Sequence, residues 1–414
     1  MAAASLSWSN RVLSGPASRE SVSLASHKFR SKNVASSRVV PVHSRNARRR
    51  SVLKVEARAI LDFFTKRGAP QSDSGEFREG WAYAPWERVR LGPFTVSPMG
   101  LGTWAWGNKF LWGYEEAMDE ELKEVFDLVV SRGINIFDTA DSYGTGALSG
   151  RSEQLLGQFI KEYPGSDKYR SDIRFATKLA AYPWRLTPGQ MVGACRASLD
   201  RLGMEKLAIG QLHWSTANYA PLQERVLWDG LVAMYEEGLV ECVGVSNYGP
   251  QQLERIYTYL QERGVPLASA QVQFSLLSSG PEQEDLLSFC DANGIRVIAY
   301  SPLALGVLSG KYNADNLPQG PRGLLFRQLL PGLDPLLAVM AEIGQKRNKS
   351  LTQVAINWCM AKGTIPIPGA KTLQQAEESL GALGWRLSGN EVAALDDAAA
   401  EVPRPMIQNI FQTK

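Results

Sequence analysis

The sequence predicts an α/β protein built as a single (β/α)8 TIM barrel with a C-terminal helical tail. Two observations carry this prediction: eight short apolar runs, and longer amphipathic segments that separate them along the chain. Strands that alternate with helices pair in parallel, because each helix returns the chain to the edge of the sheet at which the previous strand began. Eight such repeats suit a closed barrel, which typically needs about 250 residues, better than an open sheet.

The boundaries of the elements follow from capping signals as well as from the apolar period. Thr187 followed by Pro188 is a typical helix start, and glycines such as Gly133, Gly203 and Gly238 stand where helices should end. The predicted strands are the runs 96–102, 134–137, 173–176, 207–212, 240–245, 268–274, 297–299 and 364–367. The predicted helices include the segments 119–131, 152–163, 187–202, 222–237, 250–263, 281–292 and 373–383.

An open dinucleotide-binding sheet is the alternative fold, and it requires a glycine fingerprint directly after its first strand. The nearest match runs from Gly144 through Gly146 to Gly150, which is one residue too long. It also lies well beyond the end of the preceding apolar run, so a glycine-rich barrel loop explains it more simply.

The first 56 residues differ in composition from the rest of the chain. They hold 11 basic residues, 13 serines and two glutamates, which amounts to a charge of +9. Serine-rich, arginine-rich and acid-poor N-termini are typical of organelle transit peptides; a basic tail that touches nucleic acid or a membrane is the alternative. We therefore predict a chloroplast transit peptide over 1–57, an irregular lead-in over 58–88 and the barrel over 89–414.

The remainder of the chain has a charge of −6 and no long apolar run, so we expect neither a nucleic-acid partner nor a membrane span. His213 is the one histidine after residue 57, and the four cysteines are widely spaced, so we expect no metal site. Cys195, Cys242, Cys290 and Cys359 are expected to be buried in a reducing compartment.

Chemically distinctive side chains follow three successive predicted strands. Asp138 and Tyr143 close the second run, Lys178 closes the third and His213 closes the fourth. Each has an ordinary explanation alone, as a helix cap, a solvated lysine or a core histidine. In a barrel, however, the carboxyl ends of all strands face one cleft, where active sites lie. The sequence therefore predicts a catalytic site made of these four residues.

This set suits the reduction of a carbonyl group. Hydride attack leaves a negative oxygen that must receive a proton, and a tyrosine hydroxyl can donate one. We expect the ammonium of Lys178 to lower the pKa of Tyr143 from its usual value of about 10, while Asp138 keeps that lysine charged. The imidazole of His213 would hold the substrate oxygen.

The motifs Phe-Asp-Thr-Ala-x-x-Tyr-Gly, Thr-Lys, Gln-Leu-His-Trp, Gly-Val-Ser-Asn, Ala-Tyr-Ser-Pro and Ile-Pro-Gly resemble those of the aldo-keto reductases, in the same order. The resemblance implies an NADP(H)-dependent enzyme with Tyr143 as the acid, tuned by Lys178 and Asp138, and with His213 orienting the substrate. Lys371 and Arg322 suggest NADP rather than NAD, because the additional phosphate needs paired cations. The implied cofactor contacts are Gly102, Thr103, Trp104, Ser246, Asn247, Gln271, Tyr300, Ser301, Leu303, Gly306, Lys311, Arg322, Gly369, Lys371, Gln375 and Glu378.

Gln375 and Ser379 depart from the arginine and asparagine of many relatives, which bears on the adenine contacts and on the phosphate preference. Three further segments, 181–187, 213–224 and 406–413, resemble a plastid branch of this family. This resemblance implies that a small aldehyde, pyridoxal, is reduced to pyridoxine. The aromatic strand-end residues would stack on its flat ring; they are Trp104, Trp106, Trp112, Trp184, Trp214 and Tyr219. A broad aldehyde reductase and a non-catalytic NADP-binding subunit remain as alternatives.

Overall fold

A computed structural model describes residues 80–414, and the predicted transit peptide lies outside this range. The strands are β1 Val89–Leu91, β2 Phe94–Val96, β3 Leu101–Gly102, β4 Ile136–Ala140, β5 Arg174–Leu179, β6 Leu207–Leu212, β7 Val240–Ser246, β8 Leu267–Gln273, β9 Arg296–Tyr300 and β10 Ile365–Pro366. Strands β3 to β10 form one sheet in chain order, and every neighbouring pair is parallel.

Backbone contacts between the first and last strands close this sheet into a barrel. Gly102 forms a parallel bridge with Gly369. The amide of Gly100 donates to the carbonyl of Pro366 at 2.9 Å, and the amide of Gly102 to that of Pro368 at 3.1 Å. The (β/α)8 barrel predicted from the sequence is therefore confirmed.

The helices pack around the outside of the barrel. They are α1 Lys109–Trp112, α2 Asp119–Ser131, α3 Arg151–Glu162, α4 Asp167–Asp172, α5 Pro188–Leu202, α6 Pro221–Glu236, α7 Pro250–Gln261, α8 Pro281–Ala292, α9 Pro321–Leu329, α10 Asp334–Arg347, α11 Leu351–Ala361, α12 Leu373–Leu380 and α13 Gly389–Ala400. Proline occupies the first position of α5 to α8, where its missing N–H costs no helical hydrogen bond.

The first predicted strand run, 96–102, is wrong in one respect, because it merges two separate strands. Val96 ends an antiparallel hairpin of β1 and β2, whereas the first barrel strand contains only Leu101 and Gly102. Between them Ser97 turns the chain by donating to the carbonyl of Met99 at 2.6 Å. The hairpin places Leu91 and Val96 in a small apolar cluster with Ile136 and closes the amino-terminal end of the barrel.

Residues 401–414 follow α13 without regular secondary structure and return to the carboxyl end of the barrel. The amide of Met406 donates to the carbonyl of Leu277 at 2.7 Å, and that of Thr413 donates to the carbonyl of Asn247 at 3.1 Å. We call residues 401–414 the C-terminal segment. The predicted helical tail thus consists of α13, followed by an extended stretch that borders the strand ends.

A large cluster of buried apolar side chains holds the helices against the barrel. All four cysteines are buried and free, as predicted. No single helix within 80–414 is long and apolar enough to cross a membrane; the bent pair α9 and α10 satisfies that test only when both helices are counted together.

Candidate active site

The four predicted catalytic residues lie together at the carboxyl ends of β4, β5 and β6. Asp138 is inside β4, and Tyr143 follows in a turn whose amide donates to the carbonyl of Ala140 at 3.1 Å. Lys178 lies beside Ala140 in the register of β4 and β5. His213 is the first residue after β6, and its amide donates to the carbonyl of Leu179 at 3.0 Å.

Asp138 and Lys178 form an ion pair inside the barrel. Their side chains are 3% and 1% exposed, and the ammonium donates directly to Oδ2 of Asp138. It also donates to the carbonyl of Thr139 at 2.8 Å. Burial lowers the pKa of Lys178, and the charge of Asp138 acts in the opposite direction. This lysine is thus held by strong acceptors at a place where water cannot solvate it.

Tyr143 lies against this pair. The nitrogen Nζ of Lys178 is 4.8 Å from the centroid of its ring. Burial, and after it the charge of Asp138, raise the pKa of Tyr143 well above its usual value. We expected the ammonium to bring this pKa down, and that expectation is wrong for the chain alone, because loss of solvation outweighs the neighbouring cation. The phenol is therefore protonated at neutral pH and able to donate.

His213 completes the group as a neutral imidazole. Its ring lies 5.7 Å from that of Tyr143, centroid to centroid, in an edge-on arrangement. Burial lowers its pKa well below the usual value, and the charges of Lys178 and Arg185 act in the same direction. The hydroxyl of Ser142 lies 3.4 Å from Nδ1. A neutral imidazole keeps one N–H, which can donate to an oxygen beside the phenol.

Ser246, Asn247, Gln271 and Tyr300 lie on the neighbouring strand ends, as predicted. Asn247 adopts a left-handed backbone conformation with φ of 61°. Its Nδ2 donates to the carbonyl of His213 at 3.0 Å, while its Oδ1 accepts from the hydroxyl of Tyr300 at 2.8 Å. Nε2 of Gln271 donates to Oδ1 of Asp138 at 2.6 Å. These residues are therefore linked to the catalytic group through His213 and Asp138.

The predicted residues of the first strand end have different surroundings. Thr103 is buried, and its hydroxyl donates to the carbonyl of Asp138 at 2.9 Å. Trp104 is 37% exposed and contacts the ring of Trp112 edge-on, with 5.7 Å between centroids. Gly102 and Gly369 form the bridge that closes the barrel. Thus Trp104 remains partly exposed, whereas Thr103 supports the strand end.

Residues 301–322, which we call the strap, follow β9 and turn sharply. Ser301 and Leu305 have positive φ angles of 52° and 58°, and Gly306 has one of 103°. Leu303 accepts the amide of Gly306 at 2.9 Å, and Leu305 accepts from Nη2 of Arg322 at 2.8 Å. Ala304, Leu305 and Gly306 are consecutive residues with positive φ, and the two non-glycine residues are strained there, so tertiary contacts such as that of Arg322 must hold this turn in place.

Three cations lie close together here: Lys311 and Arg322 of the strap, and Lys371. Burial lowers the pKa of Lys371, and the charges of Arg322 and Lys311 lower it further. Nζ of Lys371 donates to the carbonyl of Trp112 at 2.7 Å, and the guanidinium of Arg322 lies 4.8 Å from the centroid of the Trp112 ring. Nε of Arg322 and Nε1 of Trp112 are buried without a hydrogen-bond partner. This donor-rich, positively charged place fits phosphate groups.

Gln375 and Glu378 lie on α12, and only Gln375 contacts one of these cations. Oε1 of Gln375 accepts the backbone amide of Lys371 at 2.9 Å, so this side chain fixes the turn before the helix. Glu378 accepts a hydrogen bond from the hydroxyl of Ser350. Within the described chain no group of acidic, histidine or cysteine side chains is arranged to hold a metal ion.

Aromatic side chains lie along one side of the opening that the carboxyl ends of the strands surround. Trp214 stacks on Phe411 of the C-terminal segment, with 4.8 Å between centroids and 22° between planes. Tyr182 stacks on Trp184 at 4.5 Å, and Trp184 remains 63% exposed. Trp106, by contrast, is fully buried and donates to the carbonyl of Ala370 at 2.9 Å, so it packs the core.

Arg185 and Gln211 were not predicted to have a role, although both lie in segments that resemble the family. Arg185 pairs with Asp141 at 2.6 Å and affects the pKa of His213. Gln211 lies inside the barrel and donates to Asp138 at 3.2 Å. The position of Gln211 two residues before His213 on a strand with alternating faces was the available signal.

Comparison with known proteins agrees with this geometry. The model of the Aldo/keto reductase family matches residues 98–400. Pyridoxal reductase, chloroplastic, from Arabidopsis thaliana is 64% identical over 330 residues, which cover 80% of this chain and 90% of the relative. Glycerol dehydrogenase from Gluconobacter oxydans has a similar structure, with a TM-score of 0.65, 26% identity and coverage of 79% of this chain and 99% of that one.

An aldo/keto reductase from Klebsiella pneumoniae, solved in complex with NADP and acetate, matches with a TM-score of 0.59 and 26% identity. The match covers 78% of this chain and 98% of that chain. The family match, the identity to the plant enzyme and the barrel with its strand-end residues lead to one conclusion: this chain belongs to the aldo/keto reductase family.

Proposed function

We propose that this protein reduces pyridoxal to pyridoxine with NADPH in the chloroplast, after removal of the transit peptide 1–57. The observation that carries the proposal is the group of Asp138, Tyr143, Lys178 and His213 at three adjacent strand ends. The substrate and the compartment are supported by the 64% identity to a plant enzyme named as a chloroplastic pyridoxal reductase.

The proton-transfer role falls to Tyr143. NADPH, when bound, supplies the hydride to the carbonyl carbon. Tyr143 is protonated at neutral pH and delivers its proton to the oxygen that becomes negative. The phenolate that remains lies 4.8 Å, measured to the ring centroid, from the ammonium of Lys178, which stabilises its charge.

The neutral imidazole of His213 fixes the direction of the carbonyl. With its pKa lowered by burial it stays uncharged and donates one N–H to the substrate oxygen without competing as an acid. Asn247 holds the carbonyl of His213 at 3.0 Å, so the backbone at this strand end is fixed as well. Orientation and proton supply are thus assigned to different side chains.

NADPH would lie across the strand ends from Ser246 to the strap. Ser246, Asn247 and Gln271 suit the carboxamide of the nicotinamide, and Tyr300 suits its ring. Lys311, Arg322 and Lys371 provide positive charge for the phosphates, and the unpaired Nε of Arg322 is a donor in need of an acceptor. The Klebsiella relative, solved with NADP, supports the same cofactor here.

The aromatic side of the opening suits a flat heteroaromatic aldehyde. Trp214 is stacked on Phe411 and is also held by a hydrogen bond from its Nε1 to the hydroxyl of Tyr219 at 2.8 Å. Such fixed aromatic faces favour the stacking of a pyridine ring. A broad aldehyde reductase would also use the catalytic group, but it would gain no selectivity from these aromatic side chains.

Steady-state oxidation of NADPH by the purified protein tests the proposal. Pyridoxal is compared with a panel of aliphatic and benzylic aldehydes. We expect kcat/KM to be highest for pyridoxal, with pyridoxine as the product. Equal rates across the panel would instead indicate a broad aldehyde reductase, and tight NADPH binding without turnover would indicate a non-catalytic subunit.

A further inference from the structure

Gln211 is a fully buried amide below the catalytic group. It lies on β6 inside the barrel, and its side chain bridges two other strands. Nε2 donates to Oδ1 of Asp138 at 3.2 Å, while Oε1 accepts from the hydroxyl of Ser269 at 3.4 Å. The opposite orientation would bring two oxygens together at Asp138, so the amide has one stable direction.

The two oxygens of Asp138 have separate partners. Oδ2 accepts from the ammonium of Lys178, and Oδ1 accepts from Gln211 and from Gln271, the latter at 2.6 Å. With both oxygens engaged, the carboxylate cannot rotate without losing a hydrogen bond. Two neutral donors on one oxygen also stabilise its negative charge in a place without water.

The space for Gln211 depends on a glycine on the next strand. A Cβ added at Gly244 would lie 3.0 Å from Cγ of Gln211 and 2.2 Å from the hydroxyl oxygen of Ser269. No side chain therefore fits at position 244 while the other two residues keep their places. The amide of Gln211, the hydroxyl of Ser269 that donates to it and the absence of a side chain at Gly244 therefore depend on one another.

We propose that Gln211 is a positioning residue that keeps the carboxylate of Asp138 directed at Lys178, and that it thereby controls how well the Lys178 ammonium stabilises the phenolate of Tyr143. The inference deepens the proposed reductase function and rests on it. No contact joins Gln211 to Tyr143 directly; the effect passes through the ion pair.

The physical reason is that a buried ion pair is close to its limit of stability. Burial lowers the pKa of Lys178, so its ammonium depends on a well-placed carboxylate acceptor to stay charged. The charges of Glu153 and Asp141 also reach Lys178, while Tyr143 faces Asp138, Tyr300 and His213. Without the Gln211 donor, Asp138 is held less firmly against Lys178, and the charged form of the lysine loses support.

Without the full ammonium charge, the phenolate of Tyr143 is less stable, so its pKa rises. Oxidation of the alcohol requires the phenolate, because Tyr143 must then accept a proton. The acidic limb of that pH profile therefore moves to higher pH when Gln211 is changed. A residue that merely filled space would leave the limb where it is.

The test compares the full chain with Gln211→Met, which keeps the length of the side chain but removes its donor. The pH profile of pyridoxine oxidation with NADP+ is measured for both proteins. We expect the acidic limb to move up by about one pH unit, which corresponds to about a tenfold loss of rate at a fixed pH on that limb. Binding of NADPH, followed by fluorescence, should change less than twofold.

Gln252→Met is the matched control. Gln252 is also a buried amide that donates to a buried carboxylate, Oε1 of Glu224, at 3.1 Å. Its loss should lower the stability of the fold without moving the limb. An unmoved limb in Gln211→Met, or the same shift in both variants, would overturn the inference.

Ser269→Ala provides a second route if Gln211→Met does not fold. It removes the donor that fixes the amide and should shift the limb in the same direction by a smaller amount; no shift would then overturn the inference. Failure of the proposed function is distinguishable, because in that case the unaltered protein itself would not interconvert pyridoxal and pyridoxine.

Discussion

The ammonium nitrogen of Lys178 lies 4.8 Å from the ring centroid of Tyr143 while it donates to both Asp138 and the carbonyl of Thr139. This contact joins the strand end that carries Tyr143, the proposed proton donor, to the strand that carries the cation. Burial keeps the phenol protonated, and in the proposed reaction the same cation would stabilise the phenolate that remains after proton transfer.

Replacement of Lys178 by methionine should lower both activity and stability. Asp138 would keep a buried charge without its cation, which costs about 3–5 kcal/mol when one partner of a buried pair is removed. Urea denaturation measures the free energy of unfolding, and NADPH oxidation measures the rate. Lys346→Met is the control, because its surface pair with Glu342 is about two-thirds exposed. Equal effects in both variants would contradict the assigned importance of the buried pair.

Stability should fall as the pH is lowered through the range set by His213. Its pKa in the folded chain lies well below 6.5, so the unfolded chain binds a proton first. Between about 6.5 and the lowered value, this group removes about 1.4 kcal/mol per pH unit. Denaturation curves from pH 7.5 to pH 5 should show a shallower slope in His213→Gln. Parallel slopes would show that the imidazole is not held neutral.

The stack of Trp214 on Phe411 should favour aromatic substrates. Phe411→Ala removes the ring that stacks on Trp214, and stacking is worth about 0.5–1.5 kcal/mol. We expect KM for pyridoxal to rise about two- to tenfold, with little change for a small aliphatic aldehyde. Ile410→Ala is the neighbouring control, since Ile410 is 86% exposed. A rise of equal size for both aldehydes would refute a selective contact with the ring.

Lys371 and the two strap cations, Arg322 and Lys311, should determine the choice of cofactor. Lys371→Met removes one of three neighbouring positive charges, so NADPH should bind about 10- to 100-fold more weakly, the range lost with one charge-assisted contact of about 1.5–3 kcal/mol. NADH, which lacks the additional phosphate, should be affected less. Fluorescence titration gives both dissociation constants. A uniform loss for the two cofactors would show that Lys371 does not contact that phosphate.

The sequence predicted that Asp138, Tyr143, Lys178 and His213 lie together because parallel barrel strands bring their carboxyl ends together whatever the details of packing. Asp138, Lys178 and His213 needed only the strand boundaries, which buried apolar runs mark clearly. The hairpin of β1 and β2 was missed because Val96 continues directly into an apolar stretch. Local pattern does not separate two strands that share one run.

The contacts of Gln211 and Phe411 could not be predicted in the same way. Gln211 reaches Asp138 on a strand two positions away, which depends on the register and tilt of the closed barrel. Phe411 meets Trp214 because the C-terminal segment returns across the strand ends, and no local period in that segment indicates it. Both contacts depend on tertiary arrangement alone.

The variant Tyr143→Phe measures the proposed role of Tyr143 as the proton donor. This change removes the hydroxyl and keeps the ring against Lys178. We predict that the variant binds NADPH as before, while kcat for pyridoxal falls about 10²- to 10⁴-fold, as the loss of a general acid requires. Turnover equal to that of the unaltered protein, measured with the same preparation and cofactor, would show that Tyr143 is not the proton donor.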